Sequence, residues 1–476
     1  MQQAPILKAM QQGAMPRAGM LLAFLFPLFC SSMVQVVLDL TDTWFIAQIA
    51  PEATAGTGAI YYAMIVIFLL TGGAGLAVQP LVAQAMGARM RGRAVRLYLT
   101  GLTYAIASLP IFCLWWFLAS FWVAQLGLGN VLTEYALAYF EPRLLGGCLF
   151  VAFATTTGFF NGTGRTRQSL YLMLFVATLN AVLNWLFAMH YGWGVAGTAW
   201  ATNTALLCGV AVGFLQLASV TSLRGFRLLP LLRRQITLWR SLPVRSLLSM
   251  GVPLGLWAGS EVLSWAVFQA TLARAGVVEG AVTHIVIMLT SLAYWPALGL
   301  GMGNSTLVGQ ALGAGHITLA WRIGNRMLLL MLAYAATVGI VIAAAGPWIL
   351  PYFIAEGSPH GSAVLALGIQ LLWIAASYQF FDALNIGSGF ALRGAGDVLR
   401  PTLYLLTLAW GFFLPALQIF VFAPGEGFIP AMGVFGWGAL GGWFAAWLYI
   451  GLLGIIVWRR WHNRRWQDAW LTKSLP

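Results

Sequence analysis

Apolar stretches of about 20 residues recur from Met20 to Trp458, parted by short polar or basic segments, and no other feature constrains the fold as strongly. At ~1.5 Å rise per residue, each stretch matches as a helix the roughly 30 Å hydrocarbon core of a bilayer. The 476-residue chain is 60% hydrophobic and 8% charged, whereas soluble domains carry about a quarter charged residues. Such a chain cannot clothe a water-facing surface. The expected fold class is an all-α integral membrane protein with twelve transmembrane helices, at residues 20–49, 56–83, 97–123, 133–160, 169–190, 196–220, 249–273, 281–308, 326–350, 362–390, 402–422 and 437–458.

Basic residues set the orientation. With both termini cytoplasmic, all 25 Lys and Arg except Arg143 and Arg274 fall on the inner side, and moving the helix count by one scatters them. The order reads as a cytoplasmic N-terminal segment (1–19), a six-helix lobe (20–221), a basic linker (222–248), a second six-helix lobe (249–458) and a basic tail (459–476). The linker mixes Arg224, Arg227, Arg233, Arg234, Arg240 and Arg245 with Leu, Ile, Phe and Trp, a composition suited to the anionic inner leaflet or to a solvated loop. Trp458, Trp461, Trp466 and Trp470 beside arginines suit the headgroup region as anchors. The net charge of +13 does not indicate nucleic acid, because its cations fall between apolar runs rather than on one soluble face; the partner is membrane lipid. Residues 1–20 lack a short apolar core with a small-residue cleavage site, so no signal peptide is expected. The four cysteines sit in apolar stretches with neither paired spacing nor nearby histidines, so they read as small core residues.

The second half echoes the first. Phe26-Pro27-Leu28 corresponds to Val252-Pro253-Leu254, and Leu81 to Ala88 (LVAQAMGA) to Leu307 to Ala314 (LVGQALGA), both at an offset of 226 residues. Gly162-Thr163-Gly164 and Gly394-Ala395-Gly396 form a third echo at a slightly larger offset. Six helices per repeat is even, so the halves run parallel about an axis along the membrane normal, and transporters of this build place a cavity where such halves meet.

Five carboxylates lie within the expected spans and away from their ends: Asp39, Asp42, Glu141, Glu261 and Asp382. A charge at a helix centre costs about 3 kcal/mol on insertion scales, so each faces a cavity, a partner or an ion pathway. Gln35, Asp39 and Asp42 share one face of the first span. Neighbouring carboxylates share a proton readily, which suits a proton-coupled step; the plainer alternative has Asp39 bonding a neighbouring helix and Asp42 alone functional. Asn180 and Asn184, one turn apart, either complete a polar pocket or join helices. Trp257 and Trp265 flank Glu261 at one-turn spacing, an aromatic setting that attracts organic cations if it is more than packing. Tyr378, Asp382 and Asn385 add a phenol, a carboxylate and an amide, together an oxygen-rich cage for sodium or a proton. Glu141-Pro142-Arg143 reads as a local ion pair at a kink, and His284 as a hydrogen-bonded packing residue that can also sense pH.

These residues resemble the multidrug and toxic compound extrusion (MATE) family, most nearly its NorM-type branch. The resemblance rests on Asp42-Thr43, Val82-Ala83-Gln84 with Gly87, Gly251-Val252-Pro253 with Glu261 eight residues on, Tyr378-Gln379-Phe380-Phe381-Asp382 leading to Leu392-Arg393-Gly394, and Asn180 to Trp185. It implies two lobes alternating between inward and outward openings, in a monomer of the bacterial inner membrane. It further implies export of amphipathic, often cationic organic solutes in exchange for sodium or protons, with no other cofactor. Glu261, Tyr378 and Asp382 match the family's cation site and Asp42 its first-helix carboxylate. Ile285 stands where the family often has glutamine, and Tyr139 to Arg143 looks more like the DinF-type branch.

Two other functions are weighed. A lipid-linked precursor flippase of the same superfamily needs a strongly cationic cavity, whereas the intramembrane charges here are mainly acidic. An intramembrane prenyltransferase-like enzyme is hinted at by Asp39-Leu40-Thr41-Asp42, but there is no second aspartate-rich motif to complete a magnesium site, so no enzyme activity is expected.

Overall fold

A bilayer core offers backbone amides no partner, so each apolar stretch satisfies its own hydrogen bonds as a helix. The computed structural model describes residues 5–219, 243–354 and 359–467, and among them the regular elements are all helical. Linker residues Arg224, Arg227, Arg233, Arg234 and Arg240, together with Glu356 and the tail beyond residue 467 with Trp470, lie outside the described residues.

A short helix α1 (Pro5–Gln11) precedes the spans. The first half comprises α2 (Ala18–Ala47), α3 (Pro51–Gly87), α4 (Arg91–Ala107) continued by α5 (Leu109–Phe117) and α6 (Ala119–Ala124), the pair α7 (Asn130–Leu145) and α8 (Gly147–Gly162), α9 (Thr166–Asn184) and α10 (Gly194–Ser219). The second half comprises α11 (Val244–Ala275), α12 (Val277–Gly313), α13 (Ile317–Ile349), α14 (Gly361–Gly394), the pair α15 (Leu399–Leu408) and α16 (Leu414–Val421), and α17 (Gly438–His462). Ten of these segments are long and apolar enough to span a bilayer, and α7 with α8, bent by 51°, makes an eleventh. The 32-residue α11 completes the twelve.

The bend between α7 and α8 falls at Gly146, not at Pro142. A β-carbon on Gly146 would collide with the Asn203 amide, so the glycine lets α10 approach the elbow. The fifth span of each half also breaks its α-helical ladder at a matching place. Trp185–His190 and Ala409–Phe413 are π-helical turns, a geometry that is rare and recurs at functional sites.

The chain forms two compact units. The first is Met1–Gly259 with Ser305–Ala320, the second Ser260–Asn304 with Trp321–Pro476, so α11 and α12 each contribute to both. Within the first unit the repeated LVxQAxGA motifs meet across their pseudo-symmetry. A β-carbon on Gly87 would overlap the Gln310 carbonyl, and one on Gly313 would overlap the Gln84 carbonyl. The side-chain amide of Gln310 donates to Gly162 O at 3.0 Å, and that of Gln79 to the Thr306 hydroxyl at 3.0 Å.

In the second unit the end of α17 departs from the sequence expectation. Trp461 and Trp466 are fully buried within the protein instead of lying among headgroups. Their rings stack at 5.0 Å, and Trp461 Nε1 donates to Asn325 Oδ1 at 2.9 Å. The helix runs to His462, past the expected end at residue 458, because Arg460 finds a partner inside: its Nε lies 2.6 Å from Asp397 Oδ2, with both groups about 5% exposed. Removing one partner of a buried ion pair leaves an uncompensated charge, so this contact pins the turn between α14 and α15 to the last helix.

Candidate functional site

In the first unit, Asp42 on α2 is 7% exposed and sits at the focus of a hydrogen-bond ring. Asn184 Nδ2 donates to Asp42 Oδ1 at 2.6 Å, and the Thr202 hydroxyl to Asp42 Oδ2 at 2.9 Å. Asn180 Nδ2 donates to Thr202 Oγ at 3.1 Å, and Asn184 Nδ2 also reaches Asn180 Oδ1 at 3.1 Å, closing the circuit. Every bond can be assigned with its donor pointing toward the carboxylate. Asn180, Asn184 and Thr202 are each at most 2% exposed, and Asn184 Oδ1 is buried without a partner among the described residues. An unused acceptor beside a carboxylate suits a proton or a small cation.

The asparagines thus join α9 to α2 and α10, one of the two readings the sequence left open. Asp39 is half-buried and outside the ring; Gln35 Nε2 donates to its Oδ1 at 3.1 Å within the same helix. Among the described residues it bonds no neighbouring helix, unlike the plainer of the two sequence readings, and it stays within electrostatic reach of Asp42.

Arg143 also behaves differently from the sequence reading. It forms no ion pair with Glu141; its Nη1 donates to Asn203 Oδ1 at 2.9 Å, and its guanidinium lies 5.3 Å from the Phe68 ring centre. Asn203 in turn donates to Pro142 O at 2.6 Å, which fixes the amide's orientation. The guanidinium is 9% exposed and within electrostatic reach of Asp42 and Asp39. A cation therefore faces the acidic site of this unit. Sequence reasoning placed Arg143 inside a span but, by pairing it locally, missed this role; the same test applied to the carboxylates would have found it. Thr202 and Asn203, two consecutive polar residues in an apolar helix, were the other readable signal.

In the second unit, Glu261 of α11 is 6% exposed and Asp382 of α14 half-buried, close enough for their charges to interact. Asn385 lies beside Asp382, and the Tyr378 hydroxyl beside Thr290. The Tyr378 ring lies 6.3 Å from Trp265 and 6.0 Å from Trp443. Trp265 also faces Phe413 of the second π-helical turn at 6.2 Å, and Phe413 stacks on Tyr449 at 4.7 Å. Aromatic faces of this kind hold organic cations and exclude water around the carboxylates. Trp257 belongs to the first unit, although it shares a helix with Glu261. Two further groups were not foreseen: Tyr294 and Arg393 both lie within electrostatic reach of Glu261. His284, expected to pack, is exposed.

Comparison with known proteins places this arrangement. The sequence model of the MatE family matches residues 27–186 and 253–415, once in each half, starting at Pro27 and at its repeat equivalent Pro253. Similar curated proteins are named "Probable multidrug resistance protein NorM". That of Mesorhizobium japonicum is 27% identical over 463 residues, covering 93% of both chains, and that of Deinococcus radiodurans is 29% identical over 399 residues, covering 81% of this chain and 84% of the relative. A solved structure described as the outward-facing conformation of a multidrug resistance MATE family transporter of the MOP superfamily superposes with a TM-score of 0.80 at 18% identity, covering 98% of both chains. A Pyrococcus furiosus transporter of the MOP superfamily, described as having a binding pocket of reversed polarity, gives 0.79 at 18% identity with the same coverage. One family model thus matches each half in turn and together most of the chain, and the chain belongs to the MatE family of membrane transporters.

Proposed function

We propose that this chain is a cation-coupled antiporter that exports amphipathic, often cationic organic compounds by alternating access, with sodium or protons as the coupling ion. The observation that carries the reading is one acidic site in each unit. Asp42 in its ring serves as the relay carboxylate, with Asp39 beside it. In the second unit Glu261, Tyr378 and Asp382 form the cation site with Trp265 and Asn385 around it; in the first, Gln35, Asn180 and Asn184 are the polar surroundings of the Asp39–Asp42 pair. Trp257 is a further candidate for substrate contact.

The mechanism follows from the cost of charge in a low-dielectric interior. Two carboxylates as close as Glu261 and Asp382 repel each other when ionised, and a sodium ion or proton relieves that repulsion. An organic cation relieves it equally well, so drug and ion compete. Competition becomes export only if each ligand prefers a different conformation, because an equal affinity for both shifts nothing. On this reading the chain works as a monomer in the bacterial inner membrane, and the placing of its basic residues supports cytoplasmic termini.

Reconstitution into liposomes tests the reading. Ethidium movement is followed under a sodium gradient or a pH gradient imposed separately. At least one gradient should drive it, and Glu261→Gln or Asp382→Asn should reduce driven transport at least tenfold. Undiminished transport in both variants would remove these residues from the coupling site.

A further inference from the structure

Helix α1 packs against α2 and α3 in the first unit. Ile6, Leu7, Ala9 and Met10 are buried, and Gln11 Nε2 donates to Met86 O at 3.0 Å, tying α1 to the end of α3. Between them is a pocket of ≈ 350 Å³ lined by Lys8, Gln11, Gln12, Met86, Arg89 and Arg91. Its charged groups are all cations, and none of the three pairs with a described carboxylate. Burial and the nearby Arg91 together lower the proton affinity of Arg165, in the turn before α9, which marks the surroundings as positive too.

The backbone supplies a second, independent sign. Arg89 is in the left-handed region with φ 59°, the position that ends α3. Its repeat equivalent, 226 residues on, is Gly315 with φ 83°. The two turns close alike: Met90 N bonds Ala85 O at 2.8 Å, and His316 N bonds Ala311 O at 3.0 Å. Glycine adopts this conformation freely, whereas a residue with a β-carbon is strained by roughly 1–2 kcal/mol. The second repeat uses glycine and leaves no cation; the first keeps an arginine at the same strained position, beside Lys8 and Arg91. Strain retained where the relaxed solution exists a repeat away points to the side chain's use.

We propose that this pocket is an anion site, in which Lys8, Arg89 and Arg91 hold a phosphate group, with the amides of Gln11 and Gln12 completing the cradle. Guanidinium groups suit phosphate because they present paired donors in one plane. In the orientation given above the site lies at the inner face of the membrane, where the phosphate belongs to an anionic lipid headgroup or to a soluble phosphate ester.

The test uses the full chain in two arms. In the first, the protein is extracted from phosphatidylcholine membranes containing phosphatidylglycerol, and retained lipid is counted by native mass spectrometry. In the second, the melting temperature in detergent is compared in inorganic phosphate and in sodium chloride at equal ionic strength. Arg89→Gly is the informative variant, since it restores the turn found at Gly315 and so preserves folding. It should lower retention of phosphatidylglycerol about tenfold or more, the loss expected for one charge-assisted hydrogen bond. Lys8→Gln should act in the same direction. Stabilisation by inorganic phosphate that Arg89→Gly abolishes would assign the site to a soluble phosphate; lipid retention alone would assign it to a headgroup. Equal binding by parent and Arg89→Gly in both arms overturns the proposal, as does an equal loss on Arg93→Gln, an exposed arginine outside the pocket.

Discussion

Asn184, one residue before a π-helical turn, donates its side-chain amide to Asp42 Oδ1 at 2.6 Å, and through Asn180 and Thr202 the circuit returns to the other oxygen of the same carboxylate. This geometry separates charge from structure. In Asp42→Asn the oxygen facing Asn184 can still accept, and the new amide can donate to Thr202 Oγ while that hydroxyl turns to Thr198 O, 3.1 Å away. The ring survives without its charge. The variant should therefore melt within about 1 kcal/mol of the parent and yet lose ion-driven ethidium transport. In Asn184→Ala the carboxylate loses a donor instead, and about 1–3 kcal/mol of stability with it. Thermal melts beside liposome transport assays distinguish the two; a strongly destabilised Asp42→Asn would refute the rearrangement.

Arg143 depends on Asn203 for its position, and Asn203 on the absence of a side chain at Gly146. A double-mutant cycle between Arg143→Met and Asn203→Ala should give a coupling of about 1.5–3 kcal/mol, the range for a hydrogen bond to a charged group. Gly146→Ala displaces the amide from both Pro142 O and the guanidinium, so it should mimic Asn203→Ala in melting experiments. A coupling indistinguishable from zero would mean that the guanidinium is held by something else.

Tyr378 allows packing and chemistry to be separated in the second unit. Its ring packs near those of Trp265 and Trp443, and its hydroxyl is beside Thr290. Tyr378→Phe keeps the ring contacts and should cost no more than about 1.5 kcal/mol. If the phenol belongs to the cation cage, the same variant should raise the sodium concentration, or shift the pH, that gives half-maximal transport. An unchanged ion dependence would place Tyr378 among the packing residues.

The spans were legible because bilayer thickness writes itself into the sequence as apolar length, and the duplication because Gln84 and Gly87 recur at Gln310 and Gly313. The acidic residues stood out because charge is rare in such helices. What could not be read were partners chosen by tertiary geometry. A threonine in an apolar span is ordinary until Thr202 is found against Asp42, and Trp461 reads as an interfacial anchor until Asn325 receives its N–H. Arg143 lies two residues from Glu141 along the chain yet bonds Asn203 on another helix, and nearness in sequence does not disclose that. At Arg89 the chain carries an unexpected residue in a left-handed turn, and no local pattern announces that.

The repeated glycines make the most exacting prediction. Gly87 rests against the Gln310 carbonyl and Gly313 against the Gln84 carbonyl, backbone against side-chain-free backbone, so a β-carbon at either position has no rotamer by which to escape. Alanine at Gly87 or Gly313 must push α3 and α12 apart, and the two substitutions should act alike because the contact is pseudo-symmetric. In alternating access, elements of the two repeats that touch in one state separate in another, so forcing them apart favours the separated state. Cysteine placed at Gln84 should react several-fold faster with a membrane-impermeant maleimide in the Gly313→Ala background than in the parent, in inside-out vesicles. Gly87→Ala with cysteine at Gln310 should show the same increase. If only one of the two responds, or if both label at the parental rate, the contact is ordinary helix packing and not a point at which the repeats part.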